Sequence, residues 1–155
     1  MRSLRGSICC VLAALCLCLG LTACHPQAPQ DPHPDPLVGA WLVKIPEAPF
    51  PLHLFLFHSD GTVLQSNPDA GDPNTSDTNA LGAWRREGDT YFGRIVELTA
   101  DRSTHLFASR GEITFAIQLR GDSLTGTATA NFYDAAGRRI HGPIAATLAG
   151  DRIRP

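Results

Sequence analysis

The chain has 155 residues, 43% of them hydrophobic, with 13 basic and 15 acidic side chains and a formal net charge of −2. All fifteen acidic residues but only eleven basic ones follow residue 24, so that longer part carries −4. The only basic pairs are Arg85-Arg86 and Arg138-Arg139, which excludes the basic footprint that nucleic acid needs. The 131 residues from 25 onward suffice for one domain with a single core.

Residues 1–23 read as a leader. Arg2 and Arg5 form a basic start, and Ile8 to Leu21 is an apolar stretch broken only by cysteines and Gly20. It is shorter than the about 20 apolar residues of a spanning helix and suits a signal-peptide core. Leu21-Thr22-Ala23-Cys24 resembles the lipobox of bacterial lipoproteins, cleaved just before the cysteine. The resemblance implies lipid on Cys24 and membrane anchoring in the bacterial cell envelope, where several acyl chains hold firmly and one does not. His25 stands where an inner-membrane signal would have Asp, so the resemblance implies the outer membrane, facing the periplasm. Cys9, Cys10, Cys16 and Cys18 would leave with the leader. The mature protein then has neither a disulfide framework nor a cysteine zinc site.

Residues 24–36 read as a lipidated cysteine followed by a Pro-rich tether. Pro26, Pro29, Pro32, Pro34 and Pro36 favour extended backbone over helix. At about 3.1 Å per residue such a tether spans roughly 35 Å.

From residue 37 to 155 the pattern has period two, and the fold class is all-β. Leu37, Gly39, Trp41, Val43 and Ile45 share one face of a first strand. Leu52–His58 is apolar on both faces, and Ser59-Asp60-Gly61 turns it into Thr62–Leu64. Phe55 and Phe57 are placed inside, which leaves Leu52, Leu54 and Leu56 as an outward stripe that needs cover, from a second copy in a homodimer or from the Pro-rich tether. The polar segment 67–80, with Asp69, Asp72 and Asp77, reads as a solvated loop over one mouth of the domain. Further strands are predicted at Leu81–Arg86, Tyr91–Thr99, His105–Ser109, Glu112–Arg120, Ser123–Tyr133 and Arg139–Leu148. The intervening turns fall at Glu87-Gly88-Asp89, Arg110-Gly111, Gly121-Asp122 and Ala135-Ala136-Gly137. Such a run of strands joined by short turns predicts an up-and-down antiparallel β-barrel of about eight strands, with a sandwich as the alternative.

Gly39-Ala40-Trp41 resembles the Gly-x-Trp element of the calycins, the lipocalin and avidin group. In that group a basic residue after the last strand lies over the tryptophan. The resemblance gives this place to Arg152, in Gly150-Asp151-Arg152-Ile153, and makes Trp41 and Arg152 a structural pair at one barrel end. The segment Phe57–Val63, Gly82-Ala83-Trp84 and Gly121–Gly126 is also similar to small bacterial lipocalin-like proteins.

For chemistry the residues offer little. No Gly-x-Ser-x-Gly elbow is present, and no cysteine past residue 24. His53 and His58 are five apart and so face opposite ways in a strand. No metal or other cofactor is expected. The inward set predicted from alternation is Phe55, Phe57, Phe92, Val96, Ile113, Phe115, Ile117, Leu124, Ala128 and Phe132. Arg94 shares the parity of Phe92 and Val96 and is the one charge that could meet an anionic head. These residues point first to a module that binds a small apolar ligand. An envelope interaction or inhibitor module with a filled barrel is second, and a cyclase- or isomerase-like barrel enzyme is third.

Overall fold

The computed structural model describes residues 34–155 apart from 67, 70 and 71. Cys24, the lipobox and most of the Pro-rich segment lie outside the described residues. The described chain contains nine strands and no helix. They are β1 (Gly39–Lys44), β2 (Leu52–Phe57), β3 (Thr62–Ser66), β4 (Thr75–Asp77), β5 (Ala80–Glu87), β6 (Thr90–Asp101), β7 (Phe107–Arg120), β8 (Ser123–Tyr133) and β9 (Arg139–Arg152).

All pairings are antiparallel. β1, β2, β3, β5, β6, β7, β8 and β9 follow one another around a ring that β1 and β9 close, from Trp41↔Arg152 to Lys44↔Ala149. This is an eight-stranded up-and-down barrel, and closure leaves no long unpaired edge. The short β4 pairs with β6 from Thr75↔Asp101 to Asp77↔Thr99, ahead of the β5 pairing that starts at Leu81↔Val96. β4 and β5 therefore act as one strand interrupted by a bulge. There the Thr78 hydroxyl accepts from the Leu98 amide at 3.0 Å. The segment 67–80 is thus partly strand, where a loop was expected.

One predicted turn is absent. β7 runs unbroken through Arg110-Gly111, which fuses the two strands expected at His105–Ser109 and Glu112–Arg120. The glycine serves a close approach here. Gly111 pairs with Glu97 on one side and Phe132 on the other. A Cβ at 111 would lie 2.8 Å from the Glu97 side chain and 3.1 Å from the Phe132 ring.

Side chains on directly paired residues share a face, so the register decides which residues enter the barrel. Tyr91, Gly93 and Ile95 lie opposite Ile117, Phe115 and Ile113, and Tyr91 and Ile95 are each 2% exposed. Phe92, Arg94 and Val96 therefore face outward, against the inward assignment made from sequence. The strand is apolar at both parities, and its inward row is diluted by Gly93, Glu97 and Thr99, which hid the true face.

The core fills one end of the barrel. Trp41, Phe57, Ile117 and Leu124 are almost fully buried there, with Phe57 edge-on to Trp84 and Phe115. Trp41 Nε1 donates to Leu37 O at 2.9 Å. The Arg152 guanidinium carbon lies 4.3 Å over the Trp41 ring. That guanidinium also donates to Val38 O at 2.8 Å, to Pro36 O and to Asp122 at 3.2 Å.

Candidate functional site

At the other end the barrel is not filled. A cavity of about 570 Å³ enters between the strands there. The floor and lower walls are apolar: Phe55, Ile95, Ile113, Phe115, Ala128 and Leu148. The space has a sequence origin. β8 and β9 pair side by side in the wall of this region, with Ala128↔Ala146 and Ala130↔Ile144, so the small Ala128, Ala130 and Ala146 stand where larger side chains would close the interior. The rim is built from the β1–β2 connection, with Pro49 and Phe50, and from Phe132, Ile140 and His141 on the last two strands.

Polar groups gather on the β2–β3–β6 side. Gln65 is 4% exposed and Thr99 8% exposed, and both border the cavity together with His53, Asp77 and Glu97. The Gln65 amide Nε2 lies 2.7 Å from His53 Nδ1. An amide nitrogen can only donate, so Nδ1 accepts and the ring proton sits on Nε2. That Nε2 is buried with no hydrogen-bond partner among the described residues. Burial holds the His53 pKa below the usual histidine range, and the Phe50 backbone offsets part of this at a geometry short of a hydrogen bond.

Glu97 is the principal ionisable group of the site. Its side chain occupies the notch left by Gly111. Burial, helped by the neighbouring negative charge of Asp77, pushes its pKa up to about 7. Among the described residues no hydrogen bond or ion pair reaches its carboxylate. Glu47 borders the mouth but turns its carboxylate to Thr147, taking the amide at 3.1 Å and the hydroxyl at 2.9 Å. That contact ties the β1–β2 connection to β9.

The residues singled out from sequence fall into three groups. Phe55, Ile113, Phe115, Ala128 and Phe132 line the cavity. Phe57, Ile117 and Leu124 point inward but belong to the packed end. Phe92, Arg94 and Val96 lie outside: Phe92 sits under Arg85, with 5.7 Å from its ring centroid to the guanidinium carbon, and Arg94 pairs with Glu112. The charge inside the barrel is thus a carboxyl group in place of the expected guanidinium. Sequence reasoning considered His53 only as a metal ligand and did not place Glu97, His53 or Gln65 in the cavity. The available signal was the polar residue in an otherwise apolar row: Glu97 two places from Ile95, His53 two from Phe55, Gln65 two from Val63.

No protein-family model, no curated protein and no solved structure matches this chain. The eight-stranded closed barrel, with Arg152 over Trp41, is compatible with a calycin-like fold.

Proposed function

We propose that the barrel binds a small, largely apolar molecule in this cavity, and that lipid on Cys24 holds the protein at a bacterial envelope membrane. The observation that carries the binding reading is the cavity itself. Its about 570 Å³ falls within the roughly 300–1,000 Å³ of small-molecule sites, and apolar walls with a few polar groups are the usual composition of such sites. A module that works only through its outer surface has no use for a hollow interior, since packing the space would stabilise it.

Eight buried methylenes contribute roughly 6 kcal/mol before association costs, which suits affinities around micromolar. The test is titration of the full chain with Nile red, a neutral apolar fluorophore, beside Ala128→Phe, which fills the hollow from β8. Saturable binding that Ala128→Phe weakens about tenfold or more is the expected result. Binding unaffected by the substitution would place the probe elsewhere and remove the reading.

A further inference from the structure

We propose that the cavity selects apolar molecules carrying a cationic amine, a refinement that rests on the binding reading above. The balance of charge around the hollow is the basis. Glu97 and Asp77 border it, Asp72 stands with them, and no lysine or arginine is among its described lining residues. Nearby arginines are engaged with acids elsewhere: Arg94 and Arg110 with Glu112, and Arg102 with Asp69. The basic side chains on the wall are His53 and His141, and burial keeps His53 neutral at neutral pH.

An anionic head would therefore meet carboxylates without a counter-charge. An ammonium would meet Glu97, whose carboxylate has no other partner among the described residues. Partial burial strengthens such a charge-assisted hydrogen bond relative to water. Gly111 supports the assignment, because any larger residue would push into the space that Glu97 occupies.

The titratable groups that line the hollow with Glu97 bear on the pH response: Asp77 on β4, which raises the Glu97 pKa; Asp72 ahead of β4; neutral His53 on β2; Glu47 on the β1–β2 connection, turned to Thr147; and His141 on β9, while β7 adds only the uncharged Ser109 and Gly111. Amine binding should strengthen as pH rises through about 7, where Glu97 ionises.

Calorimetric titration of the full chain with decylamine, decanol and decanoate tests this, with Ala128→Phe correcting for uptake outside the cavity. At pH 8, decylamine is expected to bind about tenfold more tightly than decanol, with decanoate weakest. The amine preference should fall severalfold at pH 5.5 and nearly vanish in Glu97→Gln. Asp77→Asn, an exposed site, should let Glu97 ionise at lower pH and so preserve more of the amine preference at pH 5.5; it serves if Glu97→Gln does not fold. Decanol binding as tightly as decylamine, or decanoate binding best, would overturn the amine selectivity while leaving apolar binding intact. Failure of all three ligands to bind would remove both.

Discussion

Glu97 links the site to stability. Its proton is held more tightly in the fold, at about 7, than at the ordinary value of 4.5. The folded form therefore binds more protons than the unfolded chain between those values. The group's stabilising contribution is complete below the ordinary value and is lost as pH rises through about 7. The gap corresponds to roughly 3 kcal/mol. Glu97→Gln is expected to raise stability by about 2–3 kcal/mol at pH 8 and to change it little at pH 4, measured by urea unfolding at both. Equal effects at the two pH values would contradict a buried, late-ionising carboxyl. At the opposite end, Arg152→Ala removes the stacking on Trp41 and the hydrogen bonds to Pro36, Val38 and Asp122. A loss of about 2–4 kcal/mol is expected, with Arg152→Lys recovering little because an ammonium cannot span the same acceptors.

Strand β6 shows where sequence and structure part company. Alternation in β7 and β8 was readable: Ile113, Phe115 and Ile117, and Leu124 and Ala128, take the inward faces expected of them. β6 was not, because period two gives two apolar rows there, and only pairing with β5 and β7 chooses between them. The Arg110-Gly111 turn failed for a related reason. A glycine that makes room for a neighbouring carboxylate looks, in isolation, like a glycine that makes a turn. Two aliphatic residues on β6 test the parity. Ile95→Ala should cost about 2–4 kcal/mol, as for a buried aliphatic, whereas Leu98→Ala, 48% exposed, should cost less than about 1 kcal/mol. The opposite ranking in thermal unfolding would turn the strand over.

For the whole molecule, the barrel and its two unlike ends follow from where large and small residues fall. Trp41, Phe57, Ile117 and Leu124 fill one end, while Ala128, Ala130 and Ala146 leave room toward the other. The all-β class and a barrel of about eight strands were legible in the periodicity and turn residues, but the continuous β7 and the short β4 were not. The cavity's chemistry was not, since it depends on which strands bring Glu97, His53, Gln65 and Asp77 to the same hollow. The proposed anchor makes its own prediction. Cys24→Ser should abolish labelling by radioactive palmitate and leave the leader attached, and undiminished labelling would rule out the lipid at this residue.

The central claim is that an apolar molecule occupies the open end of the barrel. Amide chemical shifts of the isotope-labelled full chain, followed during titration with decanol, test it most directly. The account predicts saturable shifts at Ile95, Glu97, Ile113, Ala128 and Ala146, with Trp41, Ile117 and Leu124 little changed. Shifts confined to the outward Leu52 and Leu54 on β2, or no saturable shift anywhere, would contradict it.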